Sequence, residues 1–168
     1  MFRACLVGVL VLLAATVSAQ SPVPLPATDV TSADVTAFLN ALPRNAVSDK
    51  AIRTVDVGGY RVGVFGVFRP KSVTGDANVH KTRTSEIYYM LDGAATLVTG
   101  GTLKDPKLAP NSTTNLRGSG IEGGVTRRLT KGDIVVIPGN TPHWWSNLEG
   151  DISYLIFRPD PEGRMPLK

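Results

Sequence analysis

Short runs rich in β-branched and aromatic residues recur along most of this chain, and each is only five to ten residues long. Turn signals such as Gly58-Gly59, Asp92-Gly93 and Lys131-Gly132-Asp133 separate several of them. Runs of this length with glycine-rich turns between them are typical of strands, whereas globular helices are longer. We therefore predict an all-β barrel with eight strands at 51–57, 60–69, 86–91, 94–99, 125–130, 134–138, 143–147 and 152–158.

A single helix is predicted ahead of the strands. Thr31 and Asp34 have the spacing of a capping box, in which two side chains satisfy free N–H groups at a helix start. Apolar residues then follow at the spacing of one helix face, at Val35, Phe38, Leu39 and Leu42. Pro43 ends the pattern. We expect a short amphipathic helix that lies against the barrel or against a second copy of the chain.

The segment 100–124 shows no clear period and is rich in Gly, Pro, Ser, Thr and Asn. Segments of this composition are usually surface loops. We predict a long loop that lies over the mouth of the barrel.

The N-terminus has the order of a secretory signal peptide. Arg3 precedes an apolar run from 4 to 15, and the small residues Val17-Ser18-Ala19 follow it. The run falls short of the roughly 20 apolar residues of a transmembrane helix. We therefore expect residues 1–19 to be cleaved after Ala19, giving a secreted or periplasmic product with no membrane partner. Residues 20–30, rich in proline, are predicted to be an extended linker, and residues 31–168 a single domain.

Cysteine use and charge exclude several classes of function. The sole cysteine, Cys5, lies inside the predicted signal peptide. The mature chain would therefore have no disulfide, cysteine nucleophile or thiolate metal ligand. The whole chain has 18 Lys and Arg against 14 Asp and Glu, and its basic residues are spread out. This distribution indicates a solvated surface and no nucleic-acid partner.

The residues near the chain's two histidines are of types that can bind a metal ion. His80 precedes Glu86 by six residues, and His143 follows the turn from Pro138 to Pro142. Imidazole is the commonest metal ligand in proteins, and carboxylate regularly accompanies it. Glu86 opens an apolar strand, where its carboxylate needs either a cation or exposure. The ring nitrogen of His143 that faces away from a metal would need an acceptor, such as a backbone carbonyl.

The residues around both histidines resemble the paired motifs of the cupin superfamily. The family's first motif contains His-x-His and a glutamate between glycines, and its second contains Gly, Pro, Gly, His and Asn in that order. The matching residues here are Gly75, His80, Glu86 and Gly93, and then Gly132, Pro138, Gly139, His143 and Asn147. Thr82 departs from the pattern, because it stands where the family has its second histidine.

The resemblance implies a secreted, single-domain cupin: an antiparallel β-barrel of jelly-roll type with a short N-terminal helix, forming a homodimer. It also implies that His80, Glu86 and His143 hold one divalent metal ion, which could be iron, manganese, zinc, nickel or cobalt. Thr82 offers a neutral hydroxyl, a poor replacement for imidazole. Its presence therefore either opens a coordination position or weakens the site.

The alternation of side chains along a strand predicts a pocket beside this site. Residues two apart on a strand face the same side of the sheet. The rule groups Glu86, Tyr88 and Met90 on one strand, and His143, Trp145 and Asn147 on another, with Trp144 on the opposite face. We predict a substrate pocket lined by Tyr88, Met90, Trp145 and Thr82, with Tyr88 as a catalytic acid or hydrogen-bond donor. Tyr88 and Trp145 would equally suit an ordinary barrel core.

Three functions remain open from the sequence. The first is an exported mononuclear metalloenzyme, of oxygenase, isomerase or lyase type, that acts on a small organic molecule. The second is a non-catalytic cupin that binds a small ligand or sugar and has a degenerate metal site. The third is a structural or storage role for a stable barrel dimer. A fold by itself does not choose between them.

Overall fold

The computed structural model describes residues 24–73 and 75–168. The predicted signal peptide, with Cys5, and residues 20–23 of the predicted linker lie outside the described residues. Residues 24–30 contain neither helix nor strand. In the described part of the chain, no helix is both long enough and apolar enough to cross a membrane.

The predicted helix is confirmed as α1 (Ser32–Asn40). Its capping box is complete, because the Asp34 N–H donates to the Thr31 hydroxyl and the Thr31 N–H donates to the Asp34 carboxylate. The helix lies against β2 (Arg61–Arg69) at Gly66. A Cβ atom on Gly66 would come within 2.8 Å of the Phe38 ring, so the glycine permits the close approach of the helix to the sheet.

The described residues form thirteen strands. They are β1 (Ser48–Asp56), β2 (Arg61–Arg69), β3 (Ala77–His80), β4 (Glu86–Asp92), β5 (Ala94–Thr99), β6 (Thr102–Lys104), β7 (Lys107–Leu108), β8 (Asn115–Gly118), β9 (Gly120–Glu122), β10 (Val125–Thr130), β11 (Ile134–Ile137), β12 (His143–Leu148) and β13 (Ile152–Asp160). All eight predicted strands are confirmed, as β1, β2, β4, β5 and β10 to β13, with ends that differ by three residues or fewer.

Eleven of these strands form two antiparallel sheets that enclose the main core, and β6 and β9 form a separate two-stranded sheet. The first sheet has the order β1-β2-β13-β4-β11, and the second has the order β10-β5-β12-β3-β8-β7. The main core consists of buried side chains from both sheets, chiefly Val67, Tyr88, Met90, Ile137, Tyr154 and Ile156 from the first and Ala95, Leu97, Leu129 and Trp145 from the second. Burial of these apolar faces against each other is the main stabilising contribution to such a barrel. The predicted all-β barrel is confirmed.

The prediction of a long loop at 100–124 is wrong. The segment contains β6, β7, β8 and β9, of which β8 pairs with β3 and β6 pairs with β9. Strands of two to four residues are too short to show a period, and β3, which was not predicted, is equally short. Their pairing depends on partners elsewhere in the chain, which local sequence does not reveal.

The paired strands β6 and β9 decide which face of β3 points inward. Ala77 and Val79 of β3 are buried with Leu103 of β6, in a small second cluster that also includes Trp144 and Ile121. Because successive residues on a strand alternate, Asn78 and His80 face the other way and line a cavity in the barrel. The segment 100–124, which shows no clear period in the sequence, therefore orients His80.

Candidate metal site

The three predicted ligands meet at one place in the barrel. His80 is the last residue of β3, Glu86 the first of β4 and His143 the first of β12. The Nε2 atom of His143 lies 3.4 Å from Glu86 Oε2, and the Nε2 atom of His80 lies 4.0 Å from Glu86 Oε1. One potential ligand atom from each residue falls within 4.8 Å of the others, so the group could bind a metal ion.

The turn before His143 brings the two histidines together. Gly139 lies so close to the loop after β3 that a Cβ atom there would be 2.7 Å from the Thr82 carbonyl oxygen and from the Arg83 carbonyl carbon. Only glycine fits this contact without a shift of the backbone. The imidazole ring centres of His80 and His143 are 5.2 Å apart as a result of this packing and of the pairing of β12 with β3.

Both imidazoles are held so that a lone pair faces the site. His143 Nδ1 is 3.0 Å from the Thr141 carbonyl oxygen, which can only accept, so the proton lies on Nδ1 and the lone pair on Nε2. His80 Nδ1 is 2.9 Å from Asn115 Oδ1, which assigns the same tautomer to His80. The carbonyl acceptor predicted for His143 is confirmed. Asn115 was not predicted, because it belongs to the segment that shows no period.

Glu86 is buried and forms an ion pair with Arg158, a residue that the sequence analysis did not select. Glu86 is 4 % exposed, and its carboxylate accepts hydrogen bonds from Arg158 Nε at 2.7 Å and from the Tyr88 hydroxyl at 2.9 Å. Arg158 also donates to both oxygens of Asp49, at 3.1 and 2.6 Å. A signal was available in the sequence, since Arg158 follows Tyr154 and Ile156 at the spacing of one strand face.

The electrostatics keep the site in a state that can bind a metal. Burial alone would raise the pKa of Glu86, but the Arg158 guanidinium and the two histidines outweigh it and hold the pKa at about 2. Burial lowers the pKa of His143, and it outweighs the opposing effect of Glu86. At neutral pH the carboxylate is therefore ionised and the buried imidazole is neutral, as metal ligands must be.

Tyr88 is a buried phenol that keeps its proton. Burial, followed by the nearby Glu86 carboxylate, raises the pKa of Tyr88 well above its usual value. Its ring stacks on Trp145 with centres 6.1 Å apart and contacts Tyr154 at 4.9 Å. The hydroxyl is thus an obligate donor to Glu86, and its ring belongs to the core.

The cavity beside the ligands has a volume of about 490 Å³ and a strongly polar lining. Of the four predicted pocket residues, Tyr88 lines this cavity and Thr82 lines an adjoining one of about 500 Å³. The structure places the other two, Met90 and Trp145, in the core behind Tyr88 rather than in the cavity wall. Parity identified their face correctly, but the interior of the barrel at their level is filled by side chains.

The expectation that Asn147 shares the face of His143 and Trp145 is wrong. The pairing of β12 with β5 shifts between Trp145 and Asn147, so Ser146 is an extra residue in the strand. A bulge of this kind reverses the alternation of the residues that follow. Asn147 is therefore exposed, and Leu148 takes its place against the core.

The chain is similar to known proteins in structure and not in sequence. No protein-family model matches the chain, and no curated protein matches it by sequence. A crystal structure of a Bacillus halodurans protein has 12% identity and a TM-score of 0.50, and the match covers 84% of this chain and 86% of that one. Likeness at this identity shows the fold alone.

Two further similar structures have names that describe their fold or activity. An RmlC-like cupin family protein with a double-stranded β-helix fold, from Methanocaldococcus jannaschii, has 14% identity and a TM-score of 0.44, over 72% of this chain and 89% of that one. The DMSP lyase DddQ from Ruegeria pomeroyi has 17% identity and a TM-score of 0.46, over 88% and 81%.

The donor set of this barrel fits a divalent transition metal. Two imidazoles and one carboxylate suit iron, manganese, cobalt, nickel or zinc, all of which accept mixed nitrogen and oxygen ligands. Each histidine has an acceptor on its other ring nitrogen, an arrangement typical of metal-ligating imidazoles. Three protein ligands would leave coordination positions open toward the cavity.

Proposed function

We propose that the protein is an exported cupin that binds one divalent metal ion and acts on a small organic molecule, as an enzyme of oxygenase, isomerase or lyase type. The observation that carries this proposal is the orientation of His80 and His143, whose Nε2 lone pairs face one buried, ionised carboxylate. A structural ion pair between Glu86 and Arg158 would not require either histidine to present a lone pair.

Each residue has a defined task in this proposal. His80, Glu86 and His143 would hold the ion, and the bound ion would supply Lewis-acid polarisation and open positions for substrate, water or dioxygen. Tyr88 donates to Glu86 Oε2 and thereby fixes the carboxylate. Arg158 supplies the positive charge that keeps Glu86 ionised. As a catalytic acid, Tyr88 would have to leave Glu86 before it could donate to a substrate.

A second candidate function is a non-catalytic cupin that binds a small ligand or a sugar. The observation in its favour is that Arg158 and Tyr88 already satisfy the Glu86 carboxylate. With Thr82 in place of a fourth ligand, such a protein would need no metal. Export is proposed on the N-terminal sequence, and a homodimer on the resemblance to cupins.

Elemental analysis by plasma mass spectrometry separates these functions. The protein is exported from its natural signal and purified without chelators or a His tag, beside His143→Ala and the control Asn147→Ala. Asn147 is exposed on the same strand, so its replacement tests for effects of mutation in β12. We expect close to one metal ion per chain in the wild type and the control, and a loss of metal in His143→Ala.

The identity of the metal would direct the next assays. Iron leads to measurements of oxygen consumption, and zinc, manganese, nickel or cobalt to isomerase and lyase substrates. A wild-type site that stays empty when these metals are offered would contradict the metalloenzyme proposal and favour the ligand-binding function.

A further inference from the structure

Equal numbers of arginines and carboxylates line the 490 Å³ cavity, but not every arginine forms an ion pair. Three arginines, Arg69, Arg117 and Arg158, line it together with three carboxylates, Asp49, Asp76 and Glu86. Arg158 binds both Asp49 and Glu86, and Arg117 lies 3.7 Å from Asp76. Among the described residues, Arg69 has no carboxylate within salt-bridge distance. One cavity-lining guanidinium is therefore left without an anion.

Arg69 is held in a fixed orientation by one end of its guanidinium group. Its Nε–H donates to the Tyr154 hydroxyl at 3.0 Å, and Tyr154 is 1 % exposed. The same hydroxyl accepts from Trp145 Nε1 at 3.1 Å, which fixes the phenol in the core. Within the described residues, the Nη groups of Arg69 make no hydrogen bond. A guanidinium held in this way is preorganised to bind an oxyanion through its remaining N–H groups.

Gly75 leaves room beside these Nη groups. A Cβ atom on Gly75 would lie 2.8 Å from Arg69 Nη1, so a side chain there would crowd the guanidinium. Gly75 also lines the cavity. The glycine that opens the first motif thus keeps Arg69 Nη1 accessible.

We propose that the cavity binds a small organic anion whose carboxylate or other oxyanion group is held by the Nη atoms of Arg69. This inference rests in part on the proposed function, because a divalent ion at His80, Glu86 and His143 would add two positive charges to a lining that is otherwise balanced. An anionic substrate compensates that surplus. The volume of about 490 Å³ suits a molecule of metabolite size.

Arg69 gives this anion site a geometry as well as a charge. Its planar fork can donate two parallel hydrogen bonds to a carboxylate, which an ammonium group cannot do. Arg117 is 54 % exposed in its side chain, and Asp76 at 3.7 Å already balances its charge. We therefore assign binding of the anionic group to Arg69.

Calorimetric titration with matched charged and uncharged probes tests the proposal. Succinate is compared with succinamide, and methanesulfonate and inorganic phosphate show which oxyanion is preferred, all at constant ionic strength set with chloride. The proteins are the wild type, Arg69→Gln, Arg69→Lys and the control Arg127→Gln, whose arginine lies on β10 and lines no part of the cavity. Each titration is repeated in a His143→Ala background, where a carboxylate cannot bind through a metal held by the complete ligand set.

We expect the wild type and Arg127→Gln to bind at least one of these anions about tenfold or more tightly than succinamide, and Arg69→Gln to lose that preference. Arg69→Lys should recover only part of it. The preference should persist, although weaker, in the His143→Ala background. Thermal unfolding of each variant confirms that it is folded.

Two results would overturn the inference: a wild-type protein that binds no anion better than succinamide, or an Arg69→Gln variant that keeps the preference. Metal content of the same samples distinguishes the two proposals. An empty wild-type site with Arg69-dependent anion binding would contradict the metalloenzyme proposal and support this inference, whereas a metal-loaded protein with no anion preference would do the reverse.

Discussion

His143 and His80 present the same nitrogen to the same carboxylate, but they are held in different ways. His143 is 10 % exposed in its side chain, and its acceptor is the backbone of Thr141, two residues away. His80 is 32 % exposed, and its acceptor is the side chain of Asn115, thirty-five residues away. One half of the site is built by a local turn, and the other half depends on a distant segment.

Because of this difference, the two histidines should be sensitive to different substitutions. A backbone carbonyl in a turn cannot be removed by substitution, so His143 is sensitive chiefly to the geometry of its turn. The orientation of His80 depends on one amide side chain, which can be changed without altering the backbone of β8. Glu86 is common to both halves, and Arg158 controls its charge.

Replacement of Arg158 by methionine should have the largest effect, because it acts on the carboxylate that both histidines share. Removal of one partner from a buried ion pair costs about 3–5 kcal/mol of folding free energy. Folding lowers the pKa of Glu86 from 4.5 to about 2, so the ion pair stabilises the protein above pH 4.5 and its contribution is lost as the pH falls toward 2. Urea unfolding of the metal-free protein should show a deficit at pH 7 that shrinks at pH 3; an equal deficit at both pH values would contradict this.

Gly139→Ala should disturb the part of the site that contains His143 and its turn. The new Cβ atom would be 2.7 Å from backbone atoms of Thr82 and Arg83, and a forced backbone shift typically costs about 1–3 kcal/mol. Because the turn positions His143, metal affinity should fall together with stability. Gly150→Ala is the matched control, since its Cβ atom would meet no atom within 4 Å. Equal behaviour of the two variants would show that the turn does not control the site.

Asn115→Leu should weaken the distant half without changing the fold. Loss of the acceptor on His80 Nδ1 frees the ring tautomer, and loss of such a partner lowers metal affinity by about 10–100-fold. Asn115→Asp keeps an acceptor and should retain wild-type affinity or exceed it. Competition with a fluorescent chelator measures both, and unchanged affinity in Asn115→Leu would mean that His80 needs no partner.

Thr31→Ala should have the smallest effect and should touch neither half. Loss of the helix N-cap costs about 1 kcal/mol. The helix lies on the outer side of the first sheet, at Gly66, away from the residues that line the cavity. A lower midpoint of thermal unfolding with unchanged metal affinity is expected. A parallel loss of affinity would show that the helix and the site are coupled.

Sequence reasoning succeeded where structure is set by nearby residues. The capping box of α1 and the eight longer strands follow from local patterns, and strand alternation correctly placed Glu86 and Tyr88 on one face. It failed at β3 and at the four strands between 100 and 124, whose length is too short for a period. It also missed the bulge at Ser146, because an extra residue in a strand shows only in its pairing with a neighbour.

In the candidate site, too, the sequence predicted some residues and missed others. His80, Glu86 and His143 were predicted as ligands, and the structure brings them together. The residues that orient or charge them, Asn115 and Arg158, were not predicted, and neither was the anion-binding candidate Arg69. Each of these acts through a contact across the barrel with a residue at least thirty-five positions away.

The sequence by itself determined the fold class and the helix start, because strand alternation and capping act over a few residues, and its resemblance to the cupin motifs supplied the three candidate ligands. Only the tertiary structure decided which face of β3 points inward, which cation balances Glu86 and which guanidinium is left without a carboxylate. Those features depend on distances between residues that are far apart in the chain, and a buried charge finds its partner only when the barrel closes.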